Sequence, residues 1–206
     1  MSQRITRPRL GEAFSRALLF AADKHATQVR KGGDIPYLGH LLSVAGLVIE
    51  AGGTENQAIA ALLHDAVEDA ENGDGHAVLA EIRREFGDEV AGIVEECSDT
   101  AEKPKPPWKL RKQNYIRHVE HASDGAVLLS LADKLDNARA ILRDLREHGN
   151  VLWQRFSVQD PAEHMWYYRS LLKEFEKRRP GSAMVDELDR VLAAWEHELR
   201  EHELGT

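Results

Sequence analysis

TENQAIAALLHDAVEDA, residues 54–70, is the stretch whose reading decides the fold. Thr54 with Gln57 three residues on is a capping box that opens a helix. Ile59, Leu62, Leu63, Ala66 and Val67 follow at three- and four-residue steps, so one face of that helix is expected to pack into a core. Set into the same helix are His64, Asp65, Glu68 and Asp69. If the helix continues through them, all four lie within an arc of roughly 140°. Three carboxylates crowded beside a histidine repel one another and are costly to desolvate. A bound cation would relieve both problems, and a solvated helix end with an incidental histidine is the plainer alternative.

Upstream, Leu10 to about Gln28 reads as a first helix, with Ala13, Phe14, Ala17, Leu18, Ala21 and His25 largely on one side. VRKGGDIPYLGH, residues 29–40, is a loop or tight turn because of Gly32, Gly33 and Pro36. His40 then stands in the first turn of a second helix that Gly52 and Gly53 end. The positive end of the helix dipole disfavours an imidazolium there, and a neutral imidazole is what a metal requires, although a single histidine at this place is more often a partly buried helix-start residue.

Downstream, NGDG (72–75) is a turn, and Gly87 closes a fourth helix. Asp88 is expected to cap a fifth helix. Three prolines make residues 99–108 a loop. From Lys103 to Arg117 there are six basic residues and no acidic one, which is either a solvated face or a phosphate-attracting patch. AVLLSLADKLDNARAILRDLREHG, residues 126–149, carries a long leucine stripe, with Asp133 nearly opposite it. Only Ser130 interrupts the apolar run over 126–132, so Asp133 reads as a buried carboxylate in need of a partner, with a wet face marked by Asp136 and Asn137 as the plainer alternative. Asp160-Pro161 opens a further helix, Pro180-Gly181 breaks it, and a last one runs from about Ala183 to Leu204. No strand-length alternation and no repeat occurs, so the fold class is all-α, with about eight to nine helices.

Length and charge set further bounds. A chain of 206 residues is expected to form one domain, with a motif-bearing core over 10–148 and supporting helices over 150–206. A formal net charge of −8 argues against a nucleic-acid or membrane-surface binder. The one cysteine, Cys97, excludes an internal disulfide framework and a four-cysteine zinc site. MSQRITRPRL lacks the apolar stretch of a signal peptide, and no run approaches a membrane span, so a cytoplasmic protein is expected.

One histidine, then His-Asp, then an aspartate far downstream make a mixed nitrogen and oxygen donor set, suited to manganese, iron or zinc rather than calcium. RKGGDIPYLGH (30–40), ALLHDAVED (61–69) and LADKLDNAR (131–139) together resemble the HD phosphohydrolase superfamily. Within it the chain is similar to the hydrolase domain of Rel/Spo-type alarmone enzymes and to the small alarmone hydrolases. By position the resemblance implies His40, His64, Asp65 and Asp133 as metal ligands. It implies Glu68 and Asp69 as the acidic pair acting on the nucleophilic water. Arg30 and Lys31 match the residues that hold a guanine base, and Asn137 matches a nucleotide contact. Two positions depart from the pattern: Leu41 replaces a proline, and Asp136 replaces a histidine beside Asn137.

The activity this implies is a (p)ppGpp 3′-pyrophosphohydrolase, with Mn2+ as the expected metal and Fe2+ or Zn2+ as alternatives. Its partner is then a guanine nucleotide, ppGpp or pppGpp, with the oligomeric state left open. A 2′- or 3′-phosphate on another nucleotide such as NADPH is the alternative substrate, because a metal site alone does not choose among phosphoesters. A non-catalytic alarmone- or partner-binding module is the second alternative, and the acidic pair argues against it.

Overall fold

The computed structural model describes residues 10–70, 74–98 and 106–204. Among them are nine α-helices, one 3-10 helix and no strand, the all-α class expected. The chain divides into two compact units.

The first unit holds α1 (Glu12–Lys24), α2 (Leu38–Glu50), α3 (Glu55–Leu63), α4 (Gly75–Phe86) and α5 (Asp88–Cys97). α3 is its centre, packed against α1, α2 and α5. Its capping box forms as expected: Gln57 N–H donates to Thr54 Oγ1 at 3.2 Å, and Thr54 N–H donates to Gln57 Oε1 at 2.9 Å. Helices on several sides bury every residue from Ala58 to Leu63, so α3 is covered all round rather than on one face.

Three expected boundaries shift. α1 ends at Lys24 rather than near Gln28, where Ala26 N–H turns back to Asp23 O and β-branched Thr27 and Val29 follow. Gly87, at φ 90°, is the N-cap of α5, and Asp88 is its first residue. α3 stops at Leu63, and residues 64–69 are turns.

The second unit holds residues 29–35, α6 (Trp108–His121), α7 (Asp124–His148), a 3-10 helix (Gly149–Arg155), α8 (Pro161–Arg178) and α9 (Ala183–Leu204). The last sequence motif, on α7, therefore groups with the helices after residue 150. Ser123 caps α7 by accepting from Ala126 N–H at 3.2 Å, and Asp160 caps α8 by accepting from Ala162 N–H at 2.8 Å. Arg178 donates to the carbonyls of Val119, Glu120 and Ala122, satisfying the orphan acceptors at the end of α6. Gly125 to Asp133 is buried throughout, as the apolar run predicts. No helix among the described residues is long and apolar enough to cross a membrane.

Candidate metal centre and its surroundings

Within the first unit, the end of α3 and the start of α2 bring His40, His64 and Asp65 together. One ligand atom from each lies within 4.8 Å of the others. Both imidazoles are buried and their rings are 5.4 Å apart. His64 Nδ1–H donates to Ala61 O at 2.8 Å. In an unbroken α-helix that carbonyl would accept from Asp65 N–H. The histidine side chain thus takes the acceptor that continuation would use, which accounts for the helix stopping here. The expected arc on a continuous helix is replaced by a turn, in which Asp69 N–H still reaches Asp65 O at 3.0 Å. Gly75 lies close against this turn: a Cβ there would come within 2.6 Å of Val67 O.

The same hydrogen bond sets the tautomer. With Nδ1 donating, a neutral His64 carries its lone pair on Nε2. That atom stands 3.0 Å from Asp65 Oδ2, and His40 Nε2 stands 3.6 Å from the same oxygen. A lone pair facing a carboxylate oxygen at this distance calls for a positive charge between them, a proton or a metal ion. Two imidazoles and a carboxylate around one point suit a divalent transition metal. Tyr37 O–H donates to Asp65 Oδ2 at 2.6 Å and orients it, as outer partners of metal ligands do.

Glu68 and Asp69 are exposed on the turn. Gln28 Nε2–H donates to Asp69 Oδ2 at 2.8 Å. Behind it, buried His25 contacts Gln28 Oε1 through Nδ1 at 2.5 Å and stacks on Tyr37. Sequence reading placed His25 on a helix face and passed over Gln28 and Tyr37. The signal available was a His-x-x-Gln spacing directly before the Arg-Lys motif.

Within the second unit, Arg30 donates to Asn137 Oδ1 at 2.9 Å and pairs with Asp136 at 3.2 Å. Asp136, the departure from the family pattern, is therefore an anchor for Arg30. Lys31 is exposed. Gly32 beside it, at φ 83°, leaves no room for a Cβ against the Arg155 side chain. Asp133 is buried, as expected. Within this unit it accepts from Lys134 Nζ and Asn137 Nδ2, each at 2.5 Å. Burial alone would lower the pKa of Lys134. The Asp133 carboxylate and the surrounding Tyr167, Tyr115 and Tyr168 hold it well above the usual lysine value instead.

Lys103 and Lys105 of the basic stretch lie outside the described residues. Lys109 is paired with Glu163 and lies over the Trp166 ring, and Lys112 lies over Tyr167. Arg111 donates to Pro106 O at 3.2 Å, and Arg117 donates to Asn114. These contacts tie the basic side chains into their own unit.

Comparison with known proteins identifies the family. A family profile described as the HD domain matches residues 17–158. A guanosine-3′,5′-bis(diphosphate) 3′-pyrophosphohydrolase, MESH1 of Xenopus tropicalis, is 40% identical over 144 residues, which is 68% of this chain and 74% of that one. A guanosine-3′,5′-bis(diphosphate) 3′-pyrophosphohydrolase of Aquifex aeolicus is 35% identical over 174 residues, 82% of this chain and 24% of that longer relative. A solved structure described as a metazoan ortholog of SpoT that hydrolyzes ppGpp superposes with a TM-score of 0.71 at 30% identity, covering 92% of this chain and 97% of that one. The chain belongs to the HD-domain family and is of its Rel/Spo hydrolase type.

Proposed function

We propose that this chain is a metal-dependent hydrolase that removes pyrophosphate from the ribose 3′ position of ppGpp or pppGpp, giving GDP or GTP. The observation that carries the reading is the convergence of His40 Nε2 and His64 Nε2 on Asp65 Oδ2. The named activity of the relatives supports the substrate. His40, His64 and Asp65 would hold the cation, with Asp133 as the further ligand that its motif assigns and the chain acting as a single hydrolase domain. Mn2+ is the metal proposed for this donor set, and Fe2+ or Zn2+ suit it by the same ligand chemistry. When bound, the cation polarises a phosphoryl oxygen and acidifies water.

The chain's own residues supply the rest. Glu68 and Asp69 orient the water oxygen that attacks the phosphorus attached to the ribose 3′-oxygen, and they accept its proton. The P–O3′ bond breaks, and that proton returns to the leaving 3′-oxygen, so GDP and pyrophosphate form from ppGpp and one water. The Arg30 guanidinium, held flat by Asp136 and Asn137, offers a face for the guanine base. Lys31 adds charge for the phosphates, and Asn137 adds a nucleotide contact.

The test uses Mn2+-loaded enzyme with ppGpp, with GDP, pyrophosphate and phosphate measured separately. GDP and pyrophosphate in equal amounts are expected. Glu68→Gln with Asp69→Asn should keep the metal and lower turnover by about 10²-fold or more. Parent-rate turnover in that double variant, or release of phosphate without pyrophosphate, overturns the reading.

A further inference from the structure

Asp69 is exposed, and a carboxylate on a surface turn has several rotamers open to it. Its Oδ2 is nevertheless held at 2.8 Å by the side-chain amide of Gln28, at the end of the chain segment that follows α1. The far end of that amide meets the ring of His25 at 2.5 Å. We propose that His25 is a positioning residue that fixes the carboxylate of Asp69 through Gln28. The inference rests on the reading of Asp69 as part of the acidic pair.

The hydrogen-bond roles along this chain follow from one fixed point. An ionised carboxylate can only accept, so the amide group facing Asp69 is the NH2. The oxygen of Gln28 then faces His25, and an oxygen can only accept. His25 Nδ1 is therefore the donor, and the neutral ring is the Nδ1–H tautomer. Its other nitrogen, Nε2, is buried and makes no hydrogen bond among the described residues. The ring cannot easily swing away, because it is 3% exposed and stacks on Tyr37 with centroids 5.4 Å apart. Tyr37 is itself fixed by its hydrogen bond to Asp65. A rigid donor thus sets the amide, and the amide sets the carboxylate. Without His25, the Gln28 amide could turn its oxygen toward Asp69, where two acceptors would repel.

The experiment takes the full chain loaded with Mn2+ and ppGpp as substrate, and compares His25→Ala, His25→Asn, Gln28→Ala and Asp69→Asn. Gln28→Ala and His25→Ala should lower kcat by about 10- to 100-fold, the scale for lost outer partners, with KM and metal content unchanged. His25→Asn keeps an N–H close to the position of Nδ1–H and should recover most of the loss. In an Asp69→Asn background neither Gln28→Ala nor His25→Ala should cost anything further, since their effect passes through the missing carboxylate. Nitrogen chemical shifts of His25 should report the Nδ1–H tautomer in the parent, independently of activity. Parent-like kcat in Gln28→Ala and His25→Ala beside a slow Asp69→Asn overturns the positioning role and leaves the acidic pair standing. An Asp69→Asn variant as fast as the parent overturns both. Equal losses in His25→Ala and His25→Asn with a lowered Tm, or an Nε2–H tautomer in the parent, reduce His25 to a packing residue.

Discussion

Three groups converge on a single oxygen, Asp65 Oδ2: the Nε2 atoms of His64 and His40 and the hydroxyl of Tyr37. In the proposed site the first two would be donors to a cation, whereas the third holds the carboxylate in place from the side. Tyr37→Phe removes only that hydroxyl. It should weaken Mn2+ binding by about 10- to 100-fold, as loss of outer partners does, while leaving the fold intact. Calorimetric titration of metal-stripped protein measures this, and a parent-like Kd would show that Asp65 needs no such support. At this scale the sequence carried the histidines and carboxylates of the motifs, because their chemistry is set by residue type and local spacing. It did not carry Tyr37 or Gln28 as partners, since a tyrosine meets Asp65 only when the chain returns from 28 residues away. Asp136 shows the same limit from the other side. As one position in a pattern it is a mismatch, and only its contact with Arg30, 106 residues distant, makes it an anchor.

At the scale of the element, α3 was legible at its start and misread at its end. The capping box is local chemistry between residues three apart, so Thr54 and Gln57 announce it directly. The stop after Leu63 depends on which way an imidazole turns, and a periodic pattern cannot contain that information. The apolar spacing likewise marked one buried face, while packing against α1, α2 and α5 buries residues 58–63 on all sides. Thr54→Ala removes one of the two reciprocal hydrogen bonds of the cap and should cost about 1 kcal/mol in urea unfolding. Thr54→Ser should restore most of it. The metal affinity of Thr54→Ala should stay at the parent value, because the cap lies at the opposite end of α3 from His64 and Asp65. A weakened metal site in this variant would mean that the helix start and the donor set move together.

For the whole molecule, net charge alone is a poor guide to where ligands bind. Among the described residues of its basic stretch, Lys109 is held on Glu163 and Trp166, and Lys112 lies over Tyr167. Charge instead governs how stability depends on pH, and two groups of the second unit set separate windows. His164 is packed between Trp108, Trp153 and Phe156, and its Nε2–H donates to Val158 O at 2.7 Å. Burial holds its pKa below the ordinary 6.5. The unfolded chain therefore takes up a proton at this residue before the folded one does. Stability from a neutral His164 is complete above about pH 6.5, falls as pH drops through the interval down to the folded pKa, and then levels off. The Arg169 side chain, hydrogen-bonded to Glu196, holds that carboxyl below its ordinary 4.5. Its contribution is present above that value and is lost only at lower pH. His164→Gln places an amide N–H near Nε2 and cannot titrate, so it can keep the bond to Val158 O. Denaturant unfolding of parent and variant at pH 7.5 and 5.5 separates the two windows. The parent should lose more stability than His164→Gln between those values, with a difference in slope of at most about 1.4 kcal/mol per pH unit for one proton. Equal losses in both proteins would show that His164 takes up its proton as readily folded as unfolded, and that the acid sensitivity of the fold lies elsewhere.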